Sequence, residues 1–287
     1  MTKITMTSSF IPRIPLDQWA NNLVDFVTNR FSGVFNVIND TMTIVIGGLE
    51  WLLTTPSPLV MVIILVALAG WLTNWKIAVF TGLGLLLIIS LNLWEASMLT
   101  LSLVLASTMI SLLFGVPLGI LSYRFDRVRA VVNPSLDIMQ TMPAFVYLIP
   151  AVLLFGLGNA TALIATCIFA MPPAVRLTLL GLQQVPKTTV EAAEAFGATE
   201  WQKLIKVQLP LALPMIMSGV NQVIMLSLSM VVISSMVGAG GLGAEVLRSI
   251  SMLNVGLGFI GGISVVIIAI ILDRMTHLAA QKKRGIQ

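Results

Sequence analysis

The sequence predicts an all-α integral membrane protein, with about seven transmembrane helices preceded by an amphipathic N-terminal helix. Three observations carry that prediction. Hydrophobic residues make up 57% of the chain and charged residues 10%, against about a quarter charged in a soluble domain. Mean hydropathy is +0.99. The apolar residues gather into runs about as long as a bilayer core is thick, with polar and basic residues between them.

Residues 1–55 form the first unit, an external or interfacial amphipathic segment. Residues 1–14 lack the apolar core of a cleavable signal peptide. Trp19, Leu23, Phe26 and Val27 then recur at helical spacing, while Asn39, Asp40 and Glu50 interrupt what would otherwise resemble a span. Residues 56–287 form the transmembrane unit. Its first two spans, 58–73 and 77–93, are joined by the polar turn Asn74-Trp75-Lys76, and Trp71, Trp75 and Trp94 fall at run ends as an aromatic belt places them. The third, 98–122, contains Pro117 between Gly115 and Gly119 and predicts a kink rather than a stop. Spans four and five, 138–158 and 160–182, are separated by Gly156 to Asn159. A polar island at 183–210 follows, then spans six and seven at 211–237 and 255–272.

The cations settle the expected sidedness. Lys76, Arg124, Arg127, Arg129, Lys187, Lys203, Lys206 and the tail from Lys282 to Arg284 share one side; Lys3, Arg13, Arg30 and Arg248 share the other. The positive-inside rule makes the first side cytoplasmic, with the N-terminus outside and the C-terminus inside. Because the cations sit at span ends, the net charge of +4 describes no nucleic-acid patch. The single cysteine, Cys167, excludes an intrachain disulfide and a cysteine-rich metal site. Inside an apolar run it reads as a small packing residue.

Within the polar island, Ala192, Ala193 and Ala195 favour helix, and Gly197 suits a stop with positive φ. Thr199 is placed to cap a second short helix reaching Lys206, and Pro210 falls where the next helix begins. Ala192, Ala195 and Phe196 share one helix face, an apolar knob that another protein can grip. This predicts a helix-turn-helix outside the bilayer.

Other residues leave two readings open. Arg176, after Pro172-Pro173, is either an intramembrane pathway cation or a snorkelling side chain, and the prolines are expected to break the helix locally. The glycines of 238–243 either close a tight loop or let another surface approach; no Lys-Ser/Thr follows, so this is no phosphate loop. The methionines of span six suit a repacking pathway or ordinary packing. Asp273-Arg274 reads as a span terminus. His277 has no second ligand near it in sequence, so no metal site is expected, and no catalytic residue is either. No cage of aromatic rings for a quaternary ammonium is visible in the spans.

Glu191-Ala192-Ala193, three residues, Gly197, nine residues, then Val207-Gln208-Leu209-Pro210 resembles the cytoplasmic loop signature of permease subunits in binding-protein-dependent ABC importers. Val207 stands where that family usually has Ile. The stretches 176–186, 206–214 and 229–243 further resemble glycine betaine/proline betaine permeases, and the likeness covers roughly residues 99–277. The resemblance implies a type I ABC importer permease fold in a bacterial inner membrane. It implies ATPase coupling through Glu191, Ala192, Ala193, Ala195, Phe196, Gly197, Val207, Leu209 and Pro210. It also sets Gly238, Gly240, Gly241 and Gly243 near the docking face of an external binding protein.

The implied assembly is a homodimer embedded in lipid, moving a betaine-type compatible solute. No cofactor belongs to this chain; ATP and Mg are held by a separate ATPase, and the chain, lacking a Gly-rich loop ending in Gly-Lys-Ser/Thr, is expected to hydrolyse no ATP alone. Choline, carnitine, trimethylamine oxide or an amino acid are alternative solutes. A self-sufficient ion-coupled transporter would favour intramembrane carboxylates, which are scarce after Glu95. An intramembrane enzyme would want a base beside a nucleophile, and His277 stands alone.

Overall fold

A computed structural model describes residues 16–282; the reading of residues 1–14 and of the final basic pair lies outside them. Twelve α-helices make up the described chain in the order α1 (Leu16–Thr54), α2 (Pro58–Leu72), α3 (Trp75–Ser90), α4 (Trp94–Arg124), α5 (Asp126–Thr141), α6 (Ala144–Phe155), α7 (Asn159–Gln183), α8 (Lys187–Ala195), α9 (Glu200–Lys203), α10 (Leu209–Ser234), α11 (Leu242–Ser251) and α12 (Val255–Lys282). There is no strand among the described residues.

Four helices, α4, α7, α10 and α12, are long and apolar enough to cross a membrane unaided. Two further candidates are bent pairs: Val24–Thr54 with α2, at 98°, and α5 with α6, at 103°. The second pair replaces the single span expected over 138–158. Its break falls at Met142-Pro143, where Met142 is extended (φ −75°, ψ 131°), as a residue before proline prefers. Pro172 and Pro173 do the opposite of what was expected. Helix α7 continues through both, with each ring buried, so neighbouring helices hold a stretch that lacks two backbone donors. Helix α4 likewise runs on through Pro117.

Close approach of small residues builds the centre, as helix association in lipid requires. A β-carbon added at Gly115 would lie 2.7 Å from Ala174, and one at Gly119 would lie 2.7 Å from Thr178. These are α4 against α7. Gly181 of α7 meets Met215 and Ala212 of α10 in the same way. Ser111 donates to the Cys167 carbonyl at 3.0 Å, and the Cys167 thiol lies 3.8 Å from the Ser107 carbonyl. Cys167 is therefore a half-buried packing residue between α4 and α7.

Helix α1 does more than lie at an interface. After non-helical backbone at Phe31, its second half runs inward and buries Ile46 and Leu53 with Trp94, Met98 and Leu103 in the main core. Phe35 sets its ring edge-on against Phe155 at 5.3 Å.

Candidate functional site

The polar island forms two short helices and a tight corner, and local chemistry explains each joint. Helix α8 starts after Pro186 and ends at Phe196. Gly197 adopts φ +79°, its N–H donates to the Glu194 carbonyl at 2.8 Å, and the Ala198 N–H donates to the Ala193 carbonyl at 3.0 Å. That pair of bonds is a Schellman closure, which requires a left-handed residue at the corner. Thr199 then caps α9 in a reciprocal box: its N–H donates to Gln202 Oε1 at 2.9 Å, and the Gln202 N–H donates to Thr199 Oγ1. A π-helical turn, Leu204–Gln208, carries the chain into α10, whose first turn contains Pro210. The two short helices and the position of Pro210 follow the sequence expectation.

Several side chains that sequence reasoning passed over tie this corner together. Lys203 is 7% exposed, and its ammonium donates to Glu194 and, at 2.6 Å, to Glu200. These bonds raise the Lys203 pKa, and the bond from Lys203 lowers that of Glu200. One cation thus clips α8 to α9. The Arg124 guanidinium lies 5.5 Å from the centre of the Trp201 ring, a cation–π contact, and Gln208 Nε2 donates to the Tyr123 hydroxyl at 3.0 Å. Both fasten the corner to the end of α4. Beneath it Leu182, Val185, Leu204, Ala212 and Ile216 form a local core. Glu200 and Lys203 had a readable signal in their i, i+3 spacing; Glu194, Gln208, Tyr123 and Arg124 had none.

The expected coupling residues separate into two groups. Glu191, Ala192, Ala195, Phe196, Gly197 and Pro210 are exposed, whereas Ala193, Val207 and Leu209 are half-buried supports. Phe196 is 93% exposed. Its ring stands outward on a corner held by four polar fastenings.

At the opposite ends of α4 and α7, the glycine-rich turn has the reverse character. Gly238 and Gly241 adopt φ +85° and +86°. The Gly240 N–H donates to Asn159 Oδ1 at 2.9 Å, and the Leu242 N–H donates to Thr100 Oγ1 at 2.8 Å. Gly241 and Gly243 are buried, Gly240 is half-buried and Gly238 is exposed. A β-carbon at Gly241 would come within 2.5 Å of Thr100 Oγ1. Of the four glycines expected near a docking face, Gly238 alone is fully at the surface of this chain.

Inside the helices, Arg176 pairs with Asp137 of α5, a partner 39 positions away that no spacing rule suggests. Asp273 accepts from Asn221 Nδ2 at 3.1 Å, and Thr276 donates to Asn221 Oδ1 at 2.8 Å, joining α12 to α10. The side chain of His277 lies outside the described residues. Among the described residues, no three His, Cys, Asp or Glu side chains are gathered as metal ligands.

Residues 111–285 match the family described as binding-protein-dependent transport system inner membrane component. The chain is 48% identical to the glycine betaine/carnitine transport permease protein GbuB of Listeria monocytogenes, over 96% of this chain and 99% of that one. It is 47% identical to the glycine betaine transport system permease protein OpuAB of Bacillus subtilis, over 96% and 98%. With the glycine betaine/proline betaine transport system permease protein ProW of Escherichia coli it shares 46% identity, over 95% of this chain and 77% of the relative. Among solved structures it superposes on an inward-facing conformation of the MetNI methionine ABC transporter with a TM-score of 0.59, at 23% identity, covering 68% of this chain and 96% of that one. At that identity the likeness speaks for the fold alone.

Proposed function

Since the chain belongs to the family of binding-protein-dependent transport system inner membrane components, we propose that it is the permease subunit of an ATP-driven importer of glycine betaine or proline betaine. Two copies form the pathway. Each grips a cytoplasmic ATPase through the corner at 191–197, and an external binding protein delivers the solute. ATP binding draws the two corners together and opens the pathway outward; hydrolysis resets it. ATP and Mg belong to the partner, and this subunit carries no chemistry of its own. The basic loops support a cytoplasmic corner and C-terminus, an external N-terminus and an external glycine turn, with Gly238 on the face offered to the binding protein. Reporter fusions at Gly240 and Gln287 test that topology, and a cytoplasmic signal at Gly240 would reverse it.

One observation carries the reading: an almost fully exposed Phe196 on a corner too well fastened to fold it away. Burying that ring in a partner cleft is worth about 1.5–3 kcal/mol, and a rigid mount converts the grip into movement of α7 and α10. Names of relatives at 46–48% identity support the solute.

The test is reconstitution in liposomes. The chain alone should hydrolyse no ATP; with its ATPase and binding protein, glycine betaine should stimulate hydrolysis and accumulate inside. ATP hydrolysis by the purified chain, or betaine uptake driven by an ion gradient without the ATPase, would overturn the reading.

A further inference from the structure

Helix α5 is the odd member of the membrane region. It belongs to a bent pair that passes as a span, yet Leu136 is its single buried residue. Asn133, Asp137, Gln140 and Thr141 are all exposed and recur at i, i+4, i+7 and i+8, which sets them on one stripe. Val131 and Ile138, also exposed, lie on another. A polar stripe containing a carboxylate is costly against hydrocarbon, so it faces water or another protein chain.

Asp137 on that stripe pairs with Arg176, whose side chain is 40% exposed while that of Asp137 is 67% exposed. Arg176 lies about two turns inside the end of α7, deeper than a terminal cation. About two turns further along α7, Phe169 holds an edge-to-face contact with Tyr147 at 5.6 Å. Tyr147 in turn donates its hydroxyl to the Met139 carbonyl, which fixes an aromatic pair beside α5. One acid and one guanidinium thus meet on an exposed stripe, while the ring pair further along α7, with Tyr147 buried, holds the end of α5 in place.

We propose that the Asp137–Arg176 pair is a transient binding site for the zwitterionic solute inside the pathway. The proposal rests on the permease reading above. A betaine carries a carboxylate and a quaternary ammonium on one small frame. Its carboxylate takes the place of Asp137 on the Arg176 guanidinium, as a paired fork acceptor, while its ammonium takes the place of Arg176 beside Asp137. No charge is left without a partner at any stage, so the exchange is shallow enough for a site that must also release. A monocation such as choline satisfies Asp137 and strands Arg176. The pair therefore selects zwitterions over monocations after the binding protein has made its own selection.

The experiment uses the reconstituted complex of permease, ATPase and binding protein. The neutral double variant D137N/R176Q removes both charges together, a change that a purely structural pair this exposed tolerates. Betaine moved per ATP, measured on assembled complexes, should fall at least tenfold. Unchanged betaine per ATP would show a helix staple and overturn the site. A second measurement does not depend on that variant. In a Cys167→Ser background, Gln140→Cys should react rapidly with a trimethylammonium methanethiosulfonate reagent, and turnover with glycine betaine should slow the reaction severalfold. Slow reaction under every condition would place the stripe in a dry interface; rapid reaction indifferent to betaine would place it in water away from the solute. Either result overturns the site. Failure of the parent complex to take up betaine would overturn the permease reading and this site with it.

Discussion

The corner at 191–197 and the turn at 238–243 both reverse the chain between membrane helices, both use left-handed glycines, and they spend them differently. At the corner, a β-carbon on Gly197 meets nothing within 4 Å; polar bonds hold the backbone and the apolar ring of Phe196 is left outside. At the turn, β-carbons on Gly241 and Gly243 would strike Thr100 Oγ1 at 2.5 Å and the Val232 carbonyl at 2.7 Å; the glycines exist so that the backbone can be swallowed. A glycine in a loop is therefore read by its surroundings: open space argues for a surface meant to be met, and contact argues for packing already complete.

A substitution in the buried turn should be the most damaging. Gly241→Ala adds overpacking of about 1–3 kcal/mol to the cost, about 1–3 kcal/mol, of a side chain at φ +86°, ψ −165°, a conformation essentially reserved for glycine. The purified subunit should lose several degrees in thermal unfolding, with poor membrane yield. If Gly241→Ala melts like the parent, the turn is looser than described. Gly197→Asp makes the contrasting change. Asp is among the residues that tolerate left-handed backbone, and space is free, so membrane abundance should be normal while uptake and ATPase association are lost. Gly197→Asn, with no added charge, should retain part of the uptake and so separates backbone strain from charge at the partner surface.

Thr100→Val comes next. It leaves the Leu242 N–H without its acceptor, at a cost of about 1–3 kcal/mol, and should lower thermal stability without altering the intrinsic ATPase contact. The smallest effect is expected at Lys203→Met, where global melting should barely move while the α8–α9 corner becomes more open to proteolysis. The same clip gives a pH test. Glu200, with its pKa lowered from 4.5, contributes stability that is present above that value and fades as pH falls through the lowered one. Lys203, with its pKa raised from 10.5, contributes stability that is present below that value and fades as pH rises through the raised one. Limited proteolysis of the corner should therefore stay constant between these limits and increase beyond either.

The corner was largely legible in the sequence because its determinants are local: Gly197 for the reversal, Thr199 for the cap, Pro210 for the next helix. Its fastenings were not, since Glu194 meets Lys203 from nine positions away, and Gln208 reaches Tyr123 from 85. Hydropathy marked the membrane helices but ran straight over Met142-Pro143, because Ile138, Met139 and Met142 before the break join the apolar run of α6 after it in spite of Gln140 and Thr141. It also gave no hint that α7 would stay helical through Pro172 and Pro173, a result of burial between α4 and α10 rather than of propensity. The inward packing of α1 escaped for the same reason: Ile46 and Leu53 look like any other apolar positions until the main core is assembled around them.

Phe196 is held outward as an anchor for a partner. Its most direct test is the affinity of the detergent-solubilised permease for its ATPase, compared between the parent and Phe196→Ala. With the ring already 93% exposed, the subunit should melt at the parent temperature, and affinity should fall about tenfold or more, the equivalent of about 1.5–3 kcal/mol of lost burial. Unchanged affinity with unchanged melting would show that Phe196 anchors nothing.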